Sequence, residues 1–238
     1  MIYGELFEIG QEKQTDKHFA LQNSKLLKVT LGNQSVMART GSMVAYQGQV
    51  GFEHGGSGGL GKMFKAAATG EGVPLMKCTG QGELFLADNA ADIQILYLEN
   101  DAISVNGASV LALSTGIDWD IHRIGSSGGM SAGGMYNVAM SGTGFVAITT
   151  KGTPVALDVA SAPTFADPQA VVLWTAGVKM DVRMDTGGLK SLIRGGSGET
   201  FQLAFGGQGL VLVQPAENVV KDAGQEAGGA GGLAGLFN

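Results

Sequence analysis

Short segments in which apolar residues recur at every second position run along much of the chain. Residues 27–31, 93–97 and 155–159 are examples, with the sequences LKVTL, IQILY and VALDV. This alternation places successive side chains on opposite faces of a β-strand and is typical of strands with one buried face. The pattern therefore predicts an all-β protein built from many short strands.

One tight turn is indicated by Asn106 and Gly107, which lie between the strand-like segments 103–105 and 108–110. An Asn-Gly pair readily adopts the two positive φ angles of a type I′ turn. The sequence therefore predicts a two-stranded β-hairpin at this point.

A repeated pattern, Gly-x-Gly followed by alternating apolar residues, occurs three times. The copies begin at Gly80, Gly142 and Gly207, so their spacings are 62 and 65 residues. Copies at a regular spacing indicate a fold made of duplicated units. We therefore expect residues 1–215 to form a single pseudo-repeated β domain.

Glycine-bounded loops precede the first and third copies, at residues 59–65 (GLGKMFK) and 188–194 (GLKSLIR). The corresponding segment of the middle copy, residues 128–134, keeps the glycines and lacks the basic residues. The favoured interpretation is one or two helical turns packed on the sheets, with the basic side chains in water. The alternative is contact with a membrane surface or a protein partner. The candidate contact residues are Lys62, Met63, Phe64, Lys65, Leu189, Lys190, Leu192, Ile193 and Arg194.

The composition changes at Ala216, where the strand pattern gives way to Gly, Ala, Glu and Lys. This composition predicts a flexible tail over residues 216–238. Leu233, Leu236 and Phe237 could dock on a partner or on the protein itself, but a mobile tail is the favoured interpretation.

Composition limits the class of protein and its surroundings. Of the 238 residues, 44% are hydrophobic, 15% are charged and 40 are glycine, which indicates a globular chain rich in turns. The net charge of −6 argues against nucleic-acid binding. The single Cys78 cannot form an internal disulfide, the first residues do not resemble a signal peptide, and no apolar stretch reaches about 20 residues. We therefore expect a cytoplasmic protein with no transmembrane segment.

No residue set indicates a cofactor or a metal. Residues 56–63 approach a phosphate-binding loop, but Met63 stands where the magnesium-binding hydroxyl is required. His18, His54 and His122 are isolated from one another in the sequence, so they do not predict a metal centre. Cys78 has no signature of an activated thiol and is interpreted as a core residue.

The best catalytic candidates are Asp118 and Asp120, which flank Trp119. On a β-strand the two carboxylates would share a face about 7 Å apart, a spacing at which paired carboxylates perform acid–base chemistry. The sequence places no nucleophile or base beside them. A solvated face with Trp119 buried on the opposite side is therefore the favoured interpretation.

Four of these segments together resemble the bacterial members of the mitochondrial biogenesis AIM family (altered inheritance of mitochondria, number twenty-four). The resemblance covers roughly residues 2–215. It rests on the order and spacing of LGK at 60–62 with GE at 70–71, GQG at 80–82, GIDWD at 116–120 and FGGQGLVLVQP at 205–215. It implies a double-stranded β-helix or β-sandwich of antiparallel sheets, like the fold of the tryptophan RNA-binding attenuation protein. It also implies assembly as a homo-oligomer, and it implies no enzyme activity.

The leading functional hypothesis is a non-enzymatic structural or interaction protein that forms a homo-oligomer. The basic and apolar loops would then be its contact surface. The alternative is a β module that binds a small ligand. An enzyme using Asp118 and Asp120 is a third hypothesis, and RNA binding is suggested only by the analogy of fold.

Overall fold

The computed structural model describes residues 3–54, 73–125, 131–184 and 201–216. These residues form one short α-helix, α1 (Glu5–Ile9), one 3-10 helix (Gly107–Ser109) and fifteen β-strands. The strands are β1 (Phe19–Asn23), β2 (Leu26–Thr30), β3 (Val36–Arg39), β4 (Met43–His54), β5 (Leu75–Leu86), β6 (Asp92–Asn106), β7 (Val110–Ser114), β8 (Ile117–Gly125), β9 (Ser131–Thr150), β10 (Val155–Asp158), β11 (Thr164–Ala166), β12 (Val171–Thr175), β13 (Val178–Met184), β14 (Phe201–Gly207) and β15 (Leu210–Val213).

The strands are organised as three units with the same pairing scheme. In each unit a central strand pairs on both sides. The partners on one side come earlier in the sequence than the partners on the other side. In unit 1, β5 lies between β2–β3 and β4. In unit 2, β9 lies between β6 and β7–β8. In unit 3, β14–β15 lie between β10–β11 and β12–β13. The all-β, antiparallel prediction is confirmed, whereas the narrower description as a double-stranded β-helix stays a prediction.

The Gly-x-Gly motif lies in each central strand at the point where its pairing partner changes. In unit 1, β5 pairs with β3 before the motif and with β2 after it. The six motif glycines have φ angles from 100° to 157°, a region that other residues rarely adopt. A Cβ atom at Gly80, Gly142 or Gly207 would contact a carbonyl oxygen of the neighbouring strand. The repeated glycines therefore allow the close backbone approach that each unit requires.

Backbone pairing also joins neighbouring units. β3 of unit 1 pairs with β7 of unit 2, and β6 of unit 2 pairs with β12 of unit 3. These two joints create a 12-stranded sheet, whereas β11, β14 and β13 form a separate three-stranded sheet. All five residues of β7 and four of the five in β12 are buried. β7 and β12 are thus covered on both faces, whereas their partners β3 and β6 are buried only in part.

The buried apolar side chains form three clusters, of which one combines residues from all three units, one combines units 1 and 2, and one lies within unit 3. Cys78, Met140 and Phe205 precede the three motifs by two residues, and each belongs to a different cluster. The position two residues before each motif is therefore buried in all three units. The prediction that Cys78 is a core residue is confirmed.

The predicted hairpin at Asn106 and Gly107 is wrong. β6 and β7 do not pair with each other, since they lie on opposite sides of β9. Asn106 has a φ of −56°, and its side-chain oxygen accepts a hydrogen bond from the backbone N–H of Ala108 at the start of the 3-10 helix. The guanidinium of Arg39, in unit 1, donates to the carbonyl groups of Gly107 and Val110. The segment is therefore a corner held against the neighbouring unit.

A buried lysine ties the N-terminal segment to unit 1. The side chain of Lys28, on β2, is fully buried and forms ion pairs with the carboxylates of Glu12 and Glu83. Burial alone lowers the pKa of Lys28, but the hydrogen bonds to the two glutamates outweigh it, and the net shift is upward. The hydrogen bond from Lys28 lowers the pKa of Glu12.

We expect Gly207→Ala to destabilise the protein by about 1–3 kcal/mol, because its φ of +100° is unfavourable for alanine and the new Cβ would lie 2.5 Å from the carbonyl oxygen of Gly177. Gly206→Ala is the matched control, because no atom lies within 4 Å of its added Cβ. It should change the free energy of unfolding by no more than about 0.5 kcal/mol. Urea denaturation measures both, and equal effects would contradict the role given to the motif.

We expect part of the stability to be lost in acid through Glu12. Its pKa is lowered from an ordinary value of 4.5 by Lys28, so the contribution is present above that value and is lost as the pH falls towards the folded pKa. Urea denaturation from about pH 6 to about pH 3 should give a flatter acid limb for Glu12→Gln than for the unmodified protein. Identical limbs would show that this ion pair does not contribute.

Candidate interaction surface

The first half of β4 is an apolar strand exposed to solvent. We call residues 43–47 (MVAYQ) the β4 edge, and all five are exposed. The exposed fraction is 58% for Val44 and 48% for Tyr46. Among the described residues, β5 is the only strand that pairs with β4, so the opposite side of the β4 edge has unpaired backbone groups. Apolar strands with a free edge are unusual in soluble proteins because they pair readily with other strands.

The equivalent segments of units 2 and 3 are β7 (VLALS) and β12 (VVLWT). The equivalence follows from the motif, since a Cβ atom at Gly82, Gly144 or Gly209 would contact the last residue of the corresponding segment. All three segments also have a register shift against the central strand at the same position. β7 and β12 are buried and pair on both sides. The β4 edge therefore has the sequence of a joint strand without its partner.

A second free edge belongs to β11, which begins at Thr164 and ends at Ala166. β11 pairs with β14 on one side, and no other described strand pairs with it. The ring of Phe165 is 47% exposed, with the guanidinium carbon of Arg183 5.2 Å from its centroid. β11 occupies in unit 3 the position that β3 and the second half of β6 occupy in units 1 and 2. Those two segments form the joints, whereas β11 does not.

No charged side chain protects the β4 edge along the strand. Residues 40–52 contain no Asp, Glu, Lys or Arg, and Arg39 and Glu53 flank them. Natural proteins usually place charges, especially lysine, on exposed edge strands to prevent pairing with other chains. The absence of charged side chains from the β4 edge is expected of a strand that pairs with a partner.

The structure places Asp118 and Asp120 on β8 with both side chains exposed. Trp119, between them, is half-buried and packs against the core of unit 2. The Nε2 atom of His122 lies 4.0 Å from a carboxylate oxygen of Asp120, and both side chains are more than half exposed. This arrangement is the solvated strand face favoured from the sequence, and it does not assemble a catalytic group set with Asp118.

The remaining candidates do not form a site within the described residues. His18 is half-buried, its Nδ1 atom lies 2.7 Å from the carbonyl oxygen of Thr30, and its ring packs near Phe19. In the described part of the chain, no three His, Cys, Asp or Glu side chains are placed to hold a metal ion. Burial raises the pKa of the Cys78 thiol to about 11, so this thiol is unreactive at neutral pH.

The predicted contact loops lie outside the described residues. This holds for Lys62, Met63, Phe64 and Lys65, for Leu189, Lys190, Leu192, Ile193 and Arg194, for the phosphate-loop-like residues 56–63, and for the tail from residue 217 onward. In the sequence, residues 62–65 lie between β4 and β5, and residues 189–194 lie between β13 and β14. Their role as contact surfaces stays a prediction.

A cavity of about 480 Å³ lies where the connections between units meet. It is lined by Lys25, by the β5–β6 connection, by the β9–β10 connection and by Gln214. The ammonium of Lys25 donates to the carbonyl oxygen of Ala90 and pairs with Asp92 at 3.1 Å. The Gln214 oxygen accepts from the backbone N–H of Lys151, while its buried Nε2 has no hydrogen-bond partner among the described residues. The cavity is half open to solvent, and its lining is mainly apolar with a few polar groups.

Sequence reasoning missed the β4 edge because an apolar strand is normally interpreted as buried. A signal was nevertheless present. The segments MVAYQ, VLALS and VVLWT have similar compositions and end 33, 28 and 32 residues before the motifs that begin at Gly80, Gly142 and Gly207. This similarity indicates equivalent segments, but only the strand pairing shows which of them lacks a neighbour.

These features define a class of protein: three repeated antiparallel β units in one chain, joined by strand pairing, with no assembled catalytic centre in the described residues. The chain belongs to the family described as mitochondrial biogenesis AIM24, whose model matches residues 19–216. The resemblance suggested by the sequence is confirmed. The likeness to the tryptophan RNA-binding attenuation protein stays a prediction.

Comparison with solved structures supports the fold. The crystal structure of a Streptococcus pyogenes protein is similar, with a TM-score of 0.66 and 22% sequence identity over 84% of this chain and 92% of that one. At this identity the similarity concerns the fold alone. A search of curated proteins gave no significant match. Neither described helix has the length and apolar character needed to cross a membrane.

Proposed function

We propose that this chain is a non-enzymatic structural or interaction protein that works as a homo-oligomer. The observation that carries the proposal is the β4 edge, an uncharged apolar strand exposed over five residues. An exposed strand of this kind is a template for pairing with another chain. Membership of a family described by a role in biogenesis, not by a reaction, supports the non-enzymatic part.

The proposal includes the organisation and surroundings of the protein. Residues 1–215 would act as one domain that presents the interaction surface, and residues 216–238 would be a mobile tail. The basic and apolar loops at 62–65 and 189–194 would add further contacts for a protein partner or a membrane surface. A cytoplasmic location is proposed, and the single cysteine of the chain supports it.

Native mass spectrometry and light scattering of the full chain test this proposal. At micromolar concentration we expect an oligomeric species whose mass is at least twice 24.3 kDa. Dilution should dissociate that species, because association by non-covalent edge contacts follows mass action. A protein that remains monomeric at the highest attainable concentration would overturn the homo-oligomer.

The second candidate is a module that binds a small polar ligand in the cavity beside Gln214. The Nε2 atom of Gln214 favours it: this atom is buried without a hydrogen-bond partner among the described residues, which is costly, and a ligand could satisfy it.

A thermal-shift screen against cell metabolites tests the ligand module. We expect at least one compound to raise the melting temperature, since a ligand that binds only the folded state stabilises it. The effect should disappear in Gln214→Leu and persist in Gln81→Leu, because Gln81 lies at the first motif and does not line the cavity. A screen in which no compound raises the melting temperature would count against this candidate.

A further inference from the structure

Within the described residues, the three units form two joints, and one segment of each joint type, the β4 edge and β11, has no partner on its joint side. Each joint pairs an earlier strand of one unit with the segment of the next unit that is equivalent to the β4 edge. β3 pairs with β7 in the first joint, and β6 pairs with β12 in the second. The chain ends this series with the free edge of β11 in unit 3. It begins the series with the free β4 edge in unit 1. The unused edges are therefore the two halves of a third joint of the same kind.

We propose that copies of this chain associate head to tail, with β11 of one copy pairing antiparallel with the β4 edge of the next. This inference rests on the proposed homo-oligomer and identifies its surface. A second copy is the occupant because one chain supplies both halves of the joint, and two joints within the chain already use the same geometry. Each copy has one half of each kind, so the contact joins unlike surfaces and generates a closed ring or a filament.

The internal joints fix the register of the proposed contact. In the first joint Val36 pairs with Ser114, and in the second Ile103 pairs with Thr175. On the other side of the strand, Val36 faces Cys78 and Ile103 faces Met140, two equivalent core positions. Thr164 faces the third such position, Phe205.

Thr164 therefore takes the place of Val36 and Ile103, and Gln47 takes the place of Ser114 and Thr175. The register that follows pairs Gln47 with Thr164, Tyr46 with Phe165 and Ala45 with Ala166.

The side chains at this register are complementary. Tyr46 and Phe165, about half exposed in the single chain, become a directly opposed aromatic pair. Aromatic pairs across neighbouring strands are among the favourable contacts of β-sheets. The pairing would also join the three-stranded sheet of β11, β14 and β13 to the strands of unit 1 in the next copy. The resulting sheet would match the continuous ones at the two internal joints.

Disulfide trapping between different chains tests the register. One variant carries Ala45→Cys and an affinity tag, and the other carries Ala166→Cys without a tag. Cys78 can remain, because it is fully buried and its thiol has a raised pKa. After mixing and mild oxidation, we expect a reducible tagged–untagged dimer, since directly opposed strand residues meet disulfide geometry. Ala45→Cys with Thr164→Cys is the off-register control and should cross-link at least about tenfold more slowly.

The outcomes separate this inference from the proposed function. If the protein is an oligomer but the in-register pair links no better than the control, the β4–β11 contact is wrong and the homo-oligomer stands. If the protein is monomeric, both fail. A doubly substituted chain, Ala45→Cys with Ala166→Cys, that links only within itself would show that the two edges close inside one molecule, which also overturns the inference.

A substitution pair gives a second measurement that needs no cross-link. Tyr46→Asp places a charge in the proposed joint and should shift the oligomer to smaller species in light scattering. Tyr97→Asp is the control, because Tyr97 is 56% exposed on β6 and lies outside the joint. Urea denaturation checks that both variants fold. Equal oligomer masses for the two folded variants would overturn the proposal.

Discussion

The close backbone approach at the Gly-x-Gly motifs is the constraint on which the rest of the structure depends. At each motif the central strand lies against the carbonyl groups or hydroxyls of its neighbour, at φ angles that only glycine adopts without strain. The motif is also where the central strand exchanges one partner for another. This exchange lets a central strand pair with two different strands along one side, and one of these, β3, also pairs with the next unit.

The surface that distinguishes this chain follows from the same arrangement. Three units in a row make two joints, so two of the three equivalent apolar segments, β7 and β12, are covered, and the third is not. The exposure of Val44 and Tyr46 is then a result of position in the row, not of a different sequence. The core of unit 2 lies between covered neighbours, whereas units 1 and 3 carry the open edges.

Parts of this structure can be predicted from local patterns, and parts cannot. Alternation and repeated glycines are local signals, so the strands, the motif and the solvated face at Asp118 and Asp120 could be predicted. The hairpin predicted at Asn106 and Gly107 was wrong because a turn dipeptide does not determine which strands pair. The two strands that it connects lie on opposite sides of β9. Buried Lys28 could not be predicted, since its partners Glu12 and Glu83 are distant in sequence. Exposure of the β4 edge depends on which neighbour is absent, and no single segment contains that information.

The order of the joints has a consequence for synthesis of the protein. Every pairing joins a unit to itself or to the next one, so no described strand must wait for a partner more than one unit away. Each described strand of unit 1 has a pairing partner within the unit once residue 86 has left the ribosome, and the edge of β3 then offers a surface on which residues 110–114 add as they emerge. The chain is thus suited to vectorial growth, each completed unit acting as the template for the one being translated.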